Sequence, residues 1–321
     1  MTPSVNAGPE VKVSVIIPAY NSADYTVETV ASVLAQTYKN YEVIVVDDGS
    51  SDHTREALEQ FSEQITYIYK ENGGACSARN VGIRHARGEY LACLDCDDLW
   101  LPDKLQCSVA KLDAEKELAL VFTSCYLIDK DSHVIGKTNY KVNLDNTYVR
   151  LLKENYIVAP TVVMRRSCLD QVGLFDESIF IPADWDLWLR LARDFPIGYI
   201  DKSLSKYRMV SNYTQRNSDQ YVDETLYMLK QHFNNAPFLS QRDRDSITSR
   251  LYVKHGILYR ESGAMDNARR RLFEALKLTP FSVTPYFHLT LSCLGRSVWT
   301  LVDRVKGRLG GWMVKIDGEG R

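Results

Sequence analysis

Short apolar runs alternate with helical patterns through the first hundred residues of the chain. Each run holds four to six mostly apolar residues, which is typical of a strand buried on both faces of a sheet. Between the runs, apolar residues recur every three or four positions, as Val27, Val30 and Val33 do, and this spacing predicts amphipathic helices. Strands that alternate with helices predict an α/β fold with a mostly parallel, doubly wound sheet. The predicted strands are Val13–Ile17, Tyr41–Val46, Ile65–Tyr69 and Leu91–Leu94, with helices over Asp52–Phe61 and Ser77–His85.

Two of these strands end in acidic residues. Asp47 and Asp48 follow the second strand, and Asp95, Asp97 and Asp98 follow the fourth. Carboxylates this close raise one another's pKa, so a cation would stabilise them. Oxygen ligands suit Mg²⁺ or Mn²⁺, which commonly bind one or two carboxylates together with substrate phosphates. Because ligands bind at the carboxyl ends of such strands, the pattern predicts a metal and nucleotide site at this edge.

The same acids have a simpler interpretation. Asp97 or Asp98 would also serve as the N-cap of a helix over Leu99–Lys104, and an isolated D-x-D is more often such a cap.

No G-x-G-x-x-G follows the first strand and no G-x-x-x-x-G-K-[ST] occurs, which excludes the dinucleotide fingerprint and the phosphate loop. A bound diphosphate would therefore be held by a metal rather than by a glycine-rich helix start.

Length and composition narrow the class of protein. A chain of 321 residues predicts one large or two unequal domains, and its 45% hydrophobic content is ordinary for a soluble protein. The net charge of −2 argues against a nucleic-acid partner. Residues 1–12 lack the pattern of a signal peptide and no apolar run spans a membrane, which predicts a cytoplasmic protein. Seven irregularly spaced cysteines favour buried free thiols in a reducing compartment.

Five blocks in the first 210 residues together resemble the large group of family-two inverting glycosyltransferases. The resemblance implies a nucleotide-binding GT-A domain over 13–210, preceded by a flexible N-terminus over 1–12. Each block alone is a weak signal, whereas five in the family's order are specific. The blocks are VSVIIPAYN from Val13, SVLAQTYKNYEVIVVDDGSSD from Ser32, NGGACSARN from Asn72, GEYLACLDCDD from Gly88 and DWDLWLR from Asp184.

The resemblance implies a role for several residues on the nucleotide side. Pro18 and Tyr20 match the residues that flank the base and ribose. Asp48 matches the carboxylate that accepts a hydrogen bond from a uracil-type base, while Asp47 braces the loop. Arg79 matches a basic residue near the base or the diphosphate. These matches imply a nucleotide-sugar donor, with UDP favoured over other nucleotides.

The acidic block would hold the divalent metal, Mn²⁺ or Mg²⁺. By resemblance Asp97 is the first metal ligand, Asp95 faces the sugar or ribose and is a second candidate ligand, and Asp98 is a substitute or supporting ligand. A cation there would stabilise the negative charge that develops on the departing diphosphate. The acceptor is expected to be a hydroxyl of a glycan or lipid-linked glycan.

The general base is expected in the last block. Asp184 matches the family's base, at the start of an amphipathic helix whose dipole favours the ionised carboxylate. Family members often carry two acids here, and Ala183 stands in place of the first. Asp186 is a second candidate, and the simpler alternative is that both acids cap the helix. Trp185 and Trp188 would either stack on a sugar or pack in the core.

The last third of the chain, 211–321, predicts a helical extension without strands. It includes helices over Tyr221–Phe233 and Asp243–Ser262. Residues 296–315 are basic and amphipathic, which is typical of a packed terminal helix and also of a helix lying on an anionic membrane. One tetratricopeptide-like hairpin is predicted, and since arrays need about three repeats it would lean on a partner or on the first domain. The matching residues are Tyr252, Gly256, Tyr259, Ala268, Ala275 and Pro280, with Leu272 where an aromatic is usual.

Two other functions compete with glycosyl transfer. A sugar nucleotidyltransferase also places a metal-binding carboxylate at a strand end, but its glycine-rich basic signature is absent after Val13–Ile17. A non-catalytic scaffold of a polysaccharide-assembly complex would use the helical extension, but it would not need intact acidic strand ends.

Overall fold

The structure, a computed structural model, describes residues 11–138, 144–209 and 219–293. The chain divides into two compact units, Met1–Ser211 and Asn212–Arg321, called here the first unit and the helical unit. The predicted flexible N-terminus, except its last two residues, and the basic segment 296–315 lie outside the described residues.

The first unit is built on a sheet whose described part has nine strands. In spatial order they run β3-β2-β1-β4-β8-β6-β9-β5, and β7 pairs with β6. All four strands predicted from the sequence are present, with bounds shifted by one or two residues. The strands are β1 Val13–Ala19, β2 Tyr41–Asp47, β3 Thr66–Tyr69, β4 Tyr90–Cys93, β5 Leu99–Trp100, β6 Leu120–Ile128, β7 Val134–Lys137, β8 Val163–Arg165 and β9 Ile197–Arg208.

The sheet is parallel in one half and mixed in the other. β3, β2, β1 and β4 are parallel to one another, as predicted. β8 then runs antiparallel to both β4 and β6, β5 is antiparallel to β9, and β7 returns antiparallel to β6. A short turn such as the one between β6 and β7 allows only the antiparallel arrangement. The expectation of a mostly parallel sheet therefore holds for the first half alone.

Helices cover both faces of the parallel half. Val15 and Ile17 of β1 are fully buried in the cluster that includes Val30 and Val33, whereas Ile16 points to the other face. There a Cβ on Gly82 would lie 2.4 Å from Cγ2 of Ile16, so only glycine allows this close helix–strand packing. The helices are α1 Ala23–Leu34, α2 Thr54–Leu58, α3 Ala75–His85, α4 Lys104–Ala114, α5 Thr147–Lys153, α6 Arg166–Val172 and α7 Ala183–Asp194.

The helix that the capping alternative places directly after the acidic block is absent. Leu99–Trp100 forms β5 and pairs with β9, and α4 begins only at Lys104, with Asp103 at its N-cap position. The simpler interpretation of Asp97 and Asp98 as helix caps is therefore wrong, because a strand follows them.

The helical unit contains four described helices. These are α8 Asp219–Asn234, α9 Gln241–Ser262, α10 Met265–Leu278 and α11 Val283–Cys293. Ser240 and Asp243 form a capping box at the start of α9. A Cβ on Gly256 would lie 2.7 Å from Leu272, so α9 and α10 pack closely at the predicted hairpin. No helix in the described part of the chain is long and apolar enough to cross a membrane.

Candidate active site

Asp47 braces the loop that follows β2, as the sequence predicts. Its Oδ1 accepts a hydrogen bond from the Ser50 amide at 2.8 Å, and its Oδ2 accepts one from the Tyr67 hydroxyl at 2.5 Å. The hydrogen bond to Asp47 and burial together raise the pKa of Tyr67, burial being the larger cause. Both oxygens of Asp47 are thus engaged within the protein.

Asp48 holds the loop that starts α3. Its side chain is almost fully buried, and Lys70 Nζ lies 2.5 Å from Oδ1. The amides of Gly73 and Gly74 donate to Oδ1 at 3.0 Å and to Oδ2 at 2.7 Å. A nucleotide base would have to share these oxygens with the loop, so recognition of the base by Asp48 stays a prediction.

Tyr20 lies at the carboxyl end of β1, between the two acidic loops. Its side chain is 52% exposed. The preceding residue, Ala19, accepts a hydrogen bond from the Asp48 amide at 2.9 Å, which joins the ends of β1 and β2. Pro18 is buried inside β1 opposite Val46. Tyr20 is therefore available to a ligand at this edge, whereas Pro18 shapes the strand beneath it.

Arg79 and Asp95 form a partly buried ion pair. The guanidinium of Arg79, on α3, lies 2.5 Å from Oδ1 of Asp95 just beyond β4. The guanidinium carbon lies 5.4 Å from the ring centroid of Phe175. Arg79 therefore orients Asp95 and adds positive charge at the carboxyl edge of the sheet.

Asp97 is half-buried in the loop beyond β4, near the second carboxylate, Asp95. Burial and, after it, the charge of Asp95 raise the pKa of Asp97 to about 6, although Arg208 acts in the opposite direction. The charged form of this half-buried carboxylate is thus under-compensated by the protein. Mg²⁺ and Mn²⁺ prefer oxygen ligands. Asp95 and Asp97 offer such ligands at the edge of the sheet where a diphosphate would lie.

Asp98 lies beneath the loop rather than on its surface. It is 0% exposed, and its Oδ1 accepts a hydrogen bond from the Arg208 amide at 2.8 Å. Burial and the charges of Asp97 and Asp95 raise its pKa well above the usual value. This geometry favours an anchoring role for Asp98 over metal ligation.

A second acidic group lies in the turn between β6 and β7. Asp129, Asp131 and His133 are the only three ligand-type side chains within the described ranges whose ligand atoms all lie within 4.8 Å of one another. Asp129 Oδ1 accepts hydrogen bonds from the amides of the other two at 2.9 Å. Asp129 is half-buried and the other two are exposed, and the turn itself accounts for their proximity.

Asp184 and Asp186 have different environments on α7. Asp184 is half-buried and accepts a hydrogen bond from the Trp185 amide at 2.6 Å, with Asn155 Nδ2 at 3.4 Å. Asp186 is buried and lies 2.7 Å from Arg190 in an ion pair. Of the two candidates, Asp184 is thus the one that a substrate hydroxyl can approach.

Helix α3 connects the loop of Asp95 with the segment that leads to Asp184. Asn80 Nδ2 donates to the carbonyl oxygen of Phe175 at 2.9 Å, and Cys76 Sγ lies 3.5 Å from the carbonyl oxygen of Ile179. Burial raises the pKa of the Cys76 thiol to about 11, and the charges of Asp184 and Asp95 add to the increase. Helix α3 thus contacts Asp95 through Arg79 and the segment before α7 through Asn80 and Cys76.

The comparison with known proteins identifies the family. The profile described as Glycosyl transferase family 2 matches residues 14–173. An uncharacterized glycosyltransferase of Rickettsia typhi is 36% identical over 218 residues, which cover 66% of this chain and 68% of that protein. The chain belongs to glycosyl transferase family 2. The glycosyltransferase interpretation is thus confirmed over the nucleotidyltransferase.

Two further relatives of this family 2 glycosyltransferase have informative names. TuaG of Bacillus subtilis, a glycosyltransferase named for teichuronic acid biosynthesis, is 33% identical over 249 residues, which cover 74% of this chain and 97% of TuaG. WfgD of Escherichia coli, named UDP-Glc:alpha-D-GlcNAc-diphosphoundecaprenol beta-1,3-glucosyltransferase, is 34% identical over 201 residues, which cover 61% of this chain and 77% of WfgD.

Solved structures confirm the predicted GT-A fold of this family 2 enzyme. Residues 1–349 of TarS from S. aureus, in complex with UDP-GlcNAc, match with a TM-score of 0.64 at 23% identity, over 84% of this chain and 82% of that one. Mannosyltransferase PcManGT of Pyrobaculum calidifontis, in complex with GDP-Man and Mn²⁺, matches with a TM-score of 0.55 at 20% identity, over 91% and 84%. At these identities the likeness shows the fold alone.

The two tryptophans of the last block belong to the core of the family 2 domain. Trp185 and Trp188 are almost fully buried, and Trp185 Nε1 donates to the carbonyl oxygen of Leu151 at 2.7 Å. They secure α7 beneath Asp184, so the core-packing alternative is the correct one.

Some residues at the site carry no recognisable signal in the sequence. Lys70, Asn155 and Arg208 are isolated polar residues outside the five blocks, and each contacts a predicted site residue only because distant elements meet. The distances in sequence are 22, 29 and 111 residues, which no local pattern reveals.

Proposed function

We propose that the protein is a metal-dependent, inverting glycosyltransferase that moves a sugar from a UDP-sugar to a hydroxyl of a lipid-linked glycan. The observation that carries the proposal is the pair of half-buried carboxylates, Asp95 and Asp97, directly beyond the carboxyl end of β4, together with the half-buried Asp184 in the first turn of α7. A metal-nucleotide site and a base are the two groups that such a transfer needs.

On the donor side, Asp97 and Asp95 would hold Mn²⁺ or Mg²⁺ against the diphosphate. When bound, the cation offsets the negative charge that develops on the leaving diphosphate. Arg79 keeps Asp95 in place through its ion pair, and Tyr20 offers an exposed ring to the base or ribose. Asp48 fixes the loop at the start of α3 and would accept a hydrogen bond from the base at a shared oxygen.

On the acceptor side, Asp184 would remove the proton from the attacking hydroxyl. A carboxylate at the N-terminus of a helix is stabilised in its ionised form by the helix dipole, and Asp184 stands in the first turn of α7. Attack on the face opposite the leaving diphosphate inverts the anomeric centre, so an α-linked donor gives a β-glycoside. The name of WfgD, with a UDP-glucose donor, a diphosphoundecaprenol-linked acceptor and a β-1,3 product, supports this choice of substrates and stereochemistry.

Paired substitutions at the two acidic groups test the metal assignment. Asp97→Asn should lower turnover at least about 100-fold and remove the effect of Mn²⁺ on UDP binding, because it deletes the assigned ligand. Asp131→Asn, in the exposed group between β6 and β7, should leave both unchanged. Turnover with added UDP-sugars and calorimetric titration of UDP with and without Mn²⁺ measure the two effects. If Asp131→Asn abolished turnover and the Mn²⁺ effect while Asp97→Asn left both unchanged, the metal would be assigned to the group of Asp129, Asp131 and His133, and the proposal would be refuted.

A further inference from the structure

Arg208, the last residue of β9, joins three separate segments of the first unit. These are residues 94–98 between β4 and β5, called here the acidic loop, the turn between β6 and β7, and helix α1. Its side chain is 0% exposed. Nε donates to the carbonyl oxygen of Asp97 at 2.7 Å, and one terminal nitrogen donates to the carbonyl oxygen of Lys130 and to Ser132 Oγ, both at 3.0 Å. The other terminal nitrogen lies 2.8 Å from Oε2 of Glu28 on α1.

The backbone of Arg208 holds the same loop a second time. Its amide donates to Oδ1 of Asp98 at 2.8 Å, one residue beyond the carbonyl that the guanidinium holds. The ring of Tyr25 covers the guanidinium, with its centroid 4.5 Å from the guanidinium carbon. Two consecutive residues of the loop are therefore tied to a single residue at the end of β9.

The chemistry of this position requires arginine. A guanidinium directs five N–H groups in a rigid plane, whereas a lysine ammonium is a compact donor that cannot reach three segments at once. Burying a cation is costly unless it is paired and hydrogen-bonded, and Arg208 is paired with Glu28 and donates hydrogen bonds to Asp97 and Asp98. An interior cation here therefore serves the acidic loop.

We propose that Arg208 is a positioning residue for the metal–diphosphate group. It fixes the backbone of Asp97 and Asp98 against β9 and α1, so that the Asp97 carboxylate stays directed to the cation while Arg208 itself touches neither metal nor donor. The inference rests on the proposed function, because it takes Asp97 as a metal ligand. It adds a residue that lies 35 positions beyond the family match at 14–173.

Arg165 provides a matched control. It is also largely buried, it donates to the carbonyl oxygens of Leu112 at 3.0 Å and Leu118 at 3.3 Å, and it pairs with Glu89. It lies opposite Tyr90, at the end of β4 that is remote from the acidic loop. Arg165→Lys should therefore cost stability comparable to that lost in Arg208→Lys without disturbing the site.

The experiment measures Mn²⁺ affinity in the presence of UDP, from the electron paramagnetic resonance signal of free Mn²⁺, alongside the melting temperature. We expect Arg208→Lys to weaken Mn²⁺ binding about tenfold, the usual effect of removing a residue that orients a metal ligand. Arg165→Lys should lower the melting temperature but keep the Mn²⁺ affinity within about twofold of the wild type. Unchanged affinity in Arg208→Lys, or an equal loss in both variants, overturns the inference.

A second variant covers the case in which Arg208→Lys does not fold. Glu28→Gln removes only the charged partner of one terminal nitrogen, on a half-exposed side chain, and should weaken Mn²⁺ binding by a few-fold. Wild-type affinity in Glu28→Gln would then reject the positioning role. A wild-type protein that binds no Mn²⁺ with UDP would instead refute the proposed function, so the two failures are distinguishable.

Discussion

Lys104 is a buried lysine without a carboxylate partner among the described residues. Its ammonium donates to the carbonyl oxygen of Thr161 and lies 3.4 Å from Ser108 Oγ. Burial lowers the pKa of Lys104 from 10.5 to about 7. About half of the folded molecules thus carry this lysine uncharged near pH 7, at a cost in stability.

This lysine should make stability rise with pH. Between pH 7 and 10.5 the unfolded chain binds more protons at this position than the folded chain does. The free energy of unfolding therefore rises by up to about 1.4 kcal/mol per pH unit. Below pH 7 the lysine is charged in both states, and the burial of its charge destabilises the folded protein in full. Lys104→Met should remove this dependence, as measured by urea unfolding at pH 7, 8 and 9.

A second lysine of α4 is the control for this experiment. Lys111 is partly exposed and lies 2.7 Å from Glu115 in an ion pair, so Lys111→Met should retain the pH dependence of the wild type. Equal pH slopes for the wild type and Lys104→Met would contradict the assignment.

At the scale of elements, the loop between β3 and α3 depends on one glycine. Gly74 has a φ of 88° and a ψ of 163°, a region that is essentially restricted to glycine. A Cβ there would lie 2.8 Å from Cζ of Phe180. The Gly74 amide also donates a hydrogen bond to Asp48, so the conformation of Gly74 and the position of the Asp48 carboxylate are coupled.

Gly74→Ala should therefore lose both stability and affinity for UDP. Gly173 is the matched control, because its φ of 82° and ψ of 175° are nearly the same while a Cβ would meet only Arg190, at 3.7 Å. Both alanine substitutions should lower the free energy of unfolding by about 1–3 kcal/mol. Only Gly74→Ala should bind UDP more weakly in calorimetric titration. Equal UDP affinity in both variants would show that the loop tolerates the change.

The elements of the parallel half were predictable because their signal is local. Runs such as Tyr41–Val46 are largely apolar and end in acid, and the five blocks nominate Asp95, Asp97 and Asp184 as site residues. The mixed half gave no such signal. β5 has two residues and β8 has three, and their places depend on pairing with strands far away in the chain.

For the candidate site, the sequence nominates the carboxylates but does not reveal which residues surround them. That Asp98 turns inward follows from its hydrogen bond to Arg208, 110 residues away. That Asp186 is bound to Arg190 follows from their spacing of four on α7, which the sequence contained. The burial and the hydrogen-bond partners of each carboxylate depend on tertiary contacts, so the sequence pattern alone does not predict them.

At the scale of the whole molecule, two units divide the chain near Ser211. The basic segment 296–315 follows the described helices, and a lipid-linked acceptor would make attachment to a membrane useful. We expect the full chain to sediment with vesicles of anionic lipid and a chain ending at Gly295 to remain in the supernatant. Neutral vesicles are the control, and equal sedimentation of both chains with anionic vesicles would reject membrane attachment through this segment.

The thiol of Cys76 has a consequence for measuring motion. It is enclosed between α3 and the segment that leads to Asp184, and its raised pKa keeps it protonated at neutral pH. A soluble thiol reagent should therefore label it slowly, since reaction needs both access and a thiolate. The labelling rate of Cys76 is thus expected to measure how often the segment around Ile179 exposes this thiol.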